Sequence, residues 1–249
     1  MLNQRLIVMK FGGTSVVTES TRELMIKHVI REVNDGNKVL VVVSAMGRYG
    51  SCYATDTLGS LVSNNITAKE SDRLYSCGEV ISSIVVTDLA RKNNLNVDSL
   101  DPTEVGIITD DNYTDATIIK VETKRLIQKF DDFDVLIAPG FVATSLTGFV
   151  TTLGRGGSDT SAVALGASVN ADFVDIYSDV PGVMTADPKT NPGAVLIKEM
   201  NHDRLIEMAE AGARVIHLKA IRLAKEKNVT MRFRSTFEDF VGTVVKNDL

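Results

Sequence analysis

Short β-branched runs alternate with segments of helical period along this chain, and that alternation limits the fold more than any other feature. Leu6–Met9 and Val39–Val43 are continuous apolar runs, as strands buried on both faces require. Between them, Ser20–Asn34 carries Leu24, Ile26, Val29, Ile30 and Val33 among charges at helical spacing and ends at Asp35-Gly36. This is a βαβ unit. Downstream, Ala68–Lys92 predicts one long helix or a pair, Ala116–Phe130 a further helix, and Val135–Ala138 a strand stopped by Pro139-Gly140. Ser158–Val169 predicts an alanine-rich helix capped by Ser158 or Asp159, and Phe173–Tyr177 a strand. Helices over Leu205–Ala211 and Ile216–Lys227 and strands over Thr230–Arg234 and Thr243–Val245 complete the pattern. Phe141–Thr152, with Thr147-Gly148 at its centre, reads as a β-hairpin. Strands and helices in this order imply an α/β fold with an open, mostly parallel central sheet covered on both faces. No repeat or linker-like stretch divides the 249 residues, so one domain is expected, with an N-terminal lobe of about 1–155 and a C-terminal lobe of about 156–249.

In such a sheet, ligands sit beyond the carboxyl ends of the strands, where loops feed helix N-termini. Four loops stand at such positions. Lys10-Phe11-Gly12-Gly13-Thr14-Ser15 offers glycine amides and a point charge to phosphate oxygens. It lacks the spacing of a P-loop or a dinucleotide fingerprint, and taken alone it reads equally as a tight strand-to-helix turn. Ser44-Ala45-Met46-Gly47, leading to Thr55-Asp56, reads by itself as a surface connection. Thr151–Asp159 sets Arg155 among glycines, where a guanidinium has room to receive a carboxylate or phosphate in bidentate fashion. Ser178-Asp179-Val180-Pro181-Gly182 through Asp187-Pro188-Lys189 joins a strand end to two turns. Glu79, in Ser76-Cys77-Gly78-Glu79, lies among Leu74, Val80, Ile81 and Ile84, and a carboxylate on such a helix needs a partner if it is buried.

Charge and cysteine usage remove several classes of function. Lys and Arg number 27 against 32 Asp and Glu, a net charge of −5, with no basic run, so nucleic acid and anionic membrane are not expected partners. Cys52 and Cys77 lack CxxC spacing, which argues against a disulfide framework or zinc site. His28, His202 and His217 have no metal-ligand spacing and read as solvated or satisfied structural side chains. There is no GxSxG elbow and no Cys/His pairing for covalent catalysis. Without a signal-peptide layout or an apolar run of about 18 residues, a cytoplasmic location is expected.

Taken in order, Lys10–Ser15, Val43–Gly47, Ser76–Glu79, Thr151–Asp159, Ser178–Pro188 and Gly212-Ala213-Arg214-Val215-Ile216-His217 resemble the catalytic domain of aspartokinases, within the amino-acid-kinase superfamily. The likeness runs from about Arg5 to about Val245. It implies a three-layer αβα sandwich and ATP- and Mg²⁺-dependent phosphorylation of the L-aspartate side-chain carboxylate, giving 4-phospho-L-aspartate. That reaction is the entry step toward diaminopimelate, lysine, threonine and methionine. Carried over by motif, Lys10, Phe11, Gly12 and Gly13 form the phosphate-contacting loop. Thr55, Glu79, Arg155 and Ser158, with Ser44 and Gly156 beside them, match the aspartate side. Ser178, Asp179, Met184, Lys189, Arg214 and Val215 match the nucleotide side. Lys10, Arg155 and Asp159 are the expected catalytic residues, and no protein side chain is expected to hold the metal, which travels with ATP. The sequence departs from the family pattern at Arg214, where lysine is common, at Leu218, where proline is usual, and at Met184, where tyrosine is frequent. Family members usually continue into paired regulatory domains, whereas this sequence stops at Leu249, so no regulatory domain is expected within it. A homodimer is the expected assembly, with room for a separate regulatory subunit. A kinase of the same fold with another acceptor, such as uridylate or acetylglutamate, and a non-catalytic nucleotide-binding paralogue are the competing readings.

Overall fold

The computed structural model describes residues 4–63, 65–186, 191, 193–213 and 215–248. Its elements in chain order are β1 (Leu6–Phe11), α1 (Gly13–Val16), α2 (Glu19–Asn34), β2 (Lys38–Val43), α3 (Thr55–Gly59), α4 (Ala68–Lys92), β3 (Val97–Ser99), α5 (Pro102–Val105), β4 (Ile107–Thr109), β5 (Ile118–Val121), α6 (Lys124–Lys129), β6 (Val135–Pro139), β7 (Val142–Ser145), β8 (Val150–Thr152), α7 (Gly157–Ser168), β9 (Phe173–Ser178), β10 (Glu199–Asn201), α8 (His202–Glu210), α9 (Leu218–Glu226), β11 (Met231–Ser235) and β12 (Val241–Lys246).

The main sheet has the order β10-β12-β11-β9-β1-β2-β6-β3. From β11 to β3 every neighbouring pair is parallel. Only β12, antiparallel to β11, and β10, which follows β12, run the other way. Side chains alternate across a strand, and the two faces of this sheet accordingly feed two cores. Val8, Leu40 and Val42 pack with Ala162, Leu165, Leu205 and Ile221 of α7, α8 and α9. Ile7, Met9, Val39, Val41 and Val43 pack with Met25, Ile26 and Val29 of α2 and Val86 and Ala90 of α4. Each such fully buried aliphatic side chain contributes roughly 1.5–3 kcal/mol through its removal from water. The expected three-layer α/β architecture is thus observed. Two of the long helices begin at capping boxes, with Thr18 accepting from Thr21 on α2 and Thr67 accepting from Glu70 on α4.

A second sheet, β5-β4-β7-β8, stands beside the first. Its β7–β8 pair is the expected hairpin around Thr147-Gly148. Here one expectation fails. Ala116–Phe130 is not a single helix: Ile118–Val121 pairs antiparallel with β4, and helix begins only at Lys124. Ile118, Ile119 and Val121 are β-branched and stiff at χ1, and β4 supplies the open edge that satisfies their backbone. The alanine-rich helix needs a second correction. Its N-cap is Gly156, in the left-handed region, and no side chain caps it, so Ser158 and Asp159 lie inside the first turn. Among the described residues no helix is long and apolar enough to cross a membrane.

Candidate active site

Strand β1 is flanked by β2 on one side and β9 on the other, so chain connections diverge at its carboxyl end and leave a crevice there. Two clefts open at this point. The larger, about 780 Å³, is lined by the loops after β1, β2 and β8 and by α4. The smaller, about 240 Å³, lies between the loops after β1, β2 and β9. They share four lining residues, Lys10, Gly13, Gly47 and Asp159. At this junction Lys10 Nζ stands 2.6 Å from an Asp159 carboxylate oxygen. Gly13 is required by contact: a Cβ there would lie 2.4 Å from the carbonyl oxygen of Gly47, and the Gly47 N–H donates to the Gly13 carbonyl at 3.0 Å.

The larger cleft holds Ser44, Thr55, Glu79, Arg155, Gly156 and Ser158, all of the residues expected on the acceptor side. Glu79 is buried, with 3 % of its surface exposed. One carboxylate oxygen accepts from the Ala45 N–H at 3.2 Å and the Thr55 hydroxyl at 3.5 Å. The other oxygen is buried and has no partner among the described residues. Burial therefore pushes the Glu79 carboxyl up to about 8, against the opposing pull of the Ala45 amide. An orphaned, desolvated carboxylate oxygen in a cleft is a receptor for a cation. Arg155 is exposed and lines the same cleft. Gly156 beside it has φ +70°, and a Cβ there would collide with the His217 side chain. The Gly157 N–H is taken by the Gly154 carbonyl, but because no side chain caps α7 the Ser158 and Asp159 amides of its first turn remain available to an anion in the wall formed by Gly156, Gly157, Ser158 and Asp159.

The smaller cleft holds Lys10, Gly12, Gly13, Ser178, Asp179 and Val215. Phe11 differs from the expectation. Its side chain is fully buried and stacks on Tyr177, with ring centroids 4.4 Å apart, so it supports the loop from behind and presents no ring to a ligand. Met184 forms an isolated bridge with Leu196 and lines neither cleft. Lys189 and Arg214 lie outside the described residues, as do Asp187 and Pro188. A third hollow, lined by Ala209, Gly212, Ala213, Ile216, His217 and Leu218, meets the smaller cleft at Val215.

Several wall residues belong to none of the sequence motifs. Arg48 lines the smaller cleft, and Tyr49, Tyr75, Thr114 and Phe141 line the larger. Tyr75 stands one helical turn before Glu79 and was accessible to reasoning from spacing. Thr114 was not, because the second sheet brings it in. His28 and His202 are buried and bonded to the Thr236 and Val229 carbonyls, and burial lowers the pKa of each. Among the described residues no group of three or more His, Cys, Asp or Glu could hold a metal ion.

Residues 5–235 match the amino acid kinase family. Aspartokinase 1 of Bacillus subtilis (strain 168) is 42 % identical over 244 residues, which is 97 % of this chain and 60 % of that protein. Aspartate kinase from Synechocystis superposes with a TM-score of 0.85 at 37 % identity, over 97 % of this chain and 40 % of that one. E. coli aspartokinase III, in complex with aspartate and ADP, gives a TM-score of 0.82 at 24 % identity, over 98 % of this chain and 65 % of that one, and this likeness speaks for the fold alone. The chain therefore spans about 60 % of the length of curated relatives such as the B. subtilis protein.

Proposed function

The chain belongs to the amino acid kinase family, and from that premise we propose that it carries the catalytic part of an aspartate kinase, transferring the γ-phosphoryl group of ATP to the side-chain carboxylate of L-aspartate. The observation that carries this reading is the unpartnered oxygen of buried Glu79 in a cleft that also holds Arg155. A carboxylate and a guanidinium on one cleft are complementary to an α-ammonium and an α-carboxylate, whereas a uridylate acceptor brings no cation for Glu79. The relatives named aspartokinase support the same acceptor.

The chemistry asks little of the protein beyond placement. Aspartate's side chain, with a pKa near 3.9, is ionised at neutral pH and needs no general base. One carboxylate oxygen attacks the γ-phosphorus, the bond from phosphorus to the β,γ-bridging oxygen breaks, and ADP leaves with that electron pair. No proton moves. The obstacle is repulsion between anions, so positive charge and alignment supply the catalysis. Lys10, at the junction of the two clefts, is assigned to the transferring phosphoryl group, and Asp159 holds its ammonium in place. Gly12, Gly13, Ser178, Asp179 and Val215 are assigned to the nucleotide, with Arg48 as a further cation on that side. Lys189 and Arg214 join them from the motif likeness alone. Bound Mg²⁺ neutralises charge on the phosphates and travels with the nucleotide. On this reading the lobe up to about 155 supplies most of the acceptor seat and the later lobe part of the nucleotide seat. Lys10, Gly12, Gly13 and Arg48 of the first reach the phosphates, and Gly156 and Ser158 of the second reach the acceptor. The assembly is a homodimer, which light scattering on the eluted protein checks.

The decisive experiment is ATP-dependent formation of aspartyl hydroxamate by the purified protein, with glutamate, acetylglutamate and UMP as alternative acceptors. Product with aspartate in preference to the others is the expected result. Turnover with another acceptor and none with aspartate overturns the reading.

A further inference from the structure

One buried carboxylate plays no part in the chemistry above. Asp72, in the second turn of α4, is fully buried and forms no ion pair among the described residues. Every hydrogen bond it accepts comes from the wall of the larger cleft. One oxygen accepts the Thr152 hydroxyl at 2.6 Å and the other the Thr152 N–H at 3.0 Å. The Thr114 N–H reaches both oxygens, at 3.1 and 3.0 Å. Thr152 and Thr114 both line the cleft.

Thr114 supplies an independent reason for Asp72 to be there. Its φ is +73°, a conformation that costs a β-branched residue free energy and persists only where its surroundings impose it. That turn is also the bed of the arginine loop. A Cβ on Gly154 would lie 2.3 Å from Asp115 Oδ1 and 3.2 Å from the Thr114 carbonyl oxygen, so the Gly154–Arg155 backbone rests directly on residues 114 and 115. Glu79 stands seven residues after Asp72 on the same helix, two turns on and on the same face, about 10 Å along the axis. Helix α4 thus carries the cation receptor at one point and, through Asp72, anchors the guanidinium loop at another.

We propose that Asp72 is a positioning residue that fixes the seat of the acceptor's α-amino and α-carboxylate groups relative to Lys10, and thereby selects acceptors by chain length. This rests on the aspartate kinase reading. Aspartate and glutamate differ by one methylene between the α-carbon and the reacting carboxylate, so a seat held rigidly presents only one of them to the phosphoryl group.

Steady-state kinetics of Asp72→Asn, Thr152→Val and Thr152→Ser test it, with melting curves run alongside. Asn loses one acceptor oxygen, so Asp72→Asn raises the aspartate KM about tenfold or more and lowers the preference for aspartate over glutamate in kcat/KM, with the ATP KM within about twofold of wild type. Thr152→Val raises the aspartate KM and Thr152→Ser, which keeps the hydroxyl, restores it. A folded Asp72→Asn protein with wild-type aspartate KM and acceptor preference overturns the proposal, and so does an equal rise in both substrates' KM values. Should Asp72→Asn fail to fold, identical aspartate KM values for Thr152→Val and Thr152→Ser overturn it instead. Wild-type protein settles the underlying reading separately: if it phosphorylates a different acceptor, that reading fails, and the same variants are judged by the KM of that acceptor.

Discussion

Glu79 combines three properties at one residue: burial, one satisfied oxygen and one orphan. Its carboxyl titrates near 8 in the free protein and near the ordinary 4.5 when unfolded. Between these values the folded chain binds the extra proton, so stability falls as pH rises from about 4.5 to about 8 and is flat beyond. Glu79→Gln removes that slope. Its unfolding free energy should gain on that of wild type progressively across this window, by on the order of a few kcal/mol at pH 8, read from melting curves at each pH. A constant difference between the two from pH 5 to 8 would contradict the buried, proton-bearing state. The same group predicts the pH dependence of binding. An α-ammonium needs the carboxylate ionised, so the acceptor must displace the proton, and aspartate KM should fall by up to about tenfold per pH unit as pH rises toward 8. In Glu79→Gln that dependence disappears and aspartate affinity drops, on the order of a hundredfold for loss of a buried charge pair. Lys10→Ala and Arg155→Ala separate the other roles. The first should depress kcat by about 10² or more with modest change in KM, and the second should raise aspartate KM with kcat largely kept. Wild-type kinetics in either variant would remove its assignment.

At the scale of elements, what could be read from sequence was what local periodicity encodes. Strands β1, β2, β6 and β9 are uninterrupted or nearly uninterrupted apolar runs, and α2 and α4 declare their starts through Thr18 and Thr67. Strands β3 and β4 are three residues each, too short to show any period. β5 is a strand although its sequence predicts helix, because its pairing partner, not its own pattern, decides its state. The long-range charge cluster behind β1 was equally invisible. Asp175 of β9 receives Arg232 in a fork at 2.6 and 2.8 Å and Arg234 at 3.2 Å, and Arg234 also meets Glu32 of α2 at 3.4 Å. These residues stand some 60 to 200 positions apart, with no spacing to join them. The cluster locks β11, β9 and α2 in one register. Removing its central acceptor leaves Glu32 alone, at 3.4 and 3.9 Å, to face two guanidinium groups, so Asp175→Ala should cost roughly 3–5 kcal/mol, about 10 °C or more in melting temperature for a chain of this size. A melting curve within about 2 °C of wild type would show the cluster to be dispensable.

Over the whole molecule, the position of the site follows from topology: β1 lies where connections part toward β2 and toward β9, and the glycine loops legible in the sequence cluster at its carboxyl end. What no motif conveyed is that these loops bound two clefts with one seam. The seam consists of Lys10, Gly13, Gly47 and Asp159, and the remaining lining residues belong to one cleft or the other. Two ligands in separate volumes that meet at a charged pair should bind together and not in competition. Each ligand at 100 times its Kd stabilises the folded chain by about 2.7 kcal/mol, or roughly 5–10 °C at this length. Thermal melts with a non-hydrolysable ATP analogue and Mg²⁺, with aspartate, and with both should therefore give two shifts that add approximately. Arg155→Ala should remove the aspartate shift and keep the nucleotide shift, and Arg48→Ala should weaken the nucleotide shift and keep the other. If the double-ligand shift only equals the larger single one, the two ligands occupy a common volume, and the division of the crevice into an acceptor side and a phosphate side is wrong. If the shifts add but Arg155→Ala abolishes the nucleotide shift instead, the two sides are assigned the wrong way round, and the guanidinium among the glycines belongs to the triphosphate.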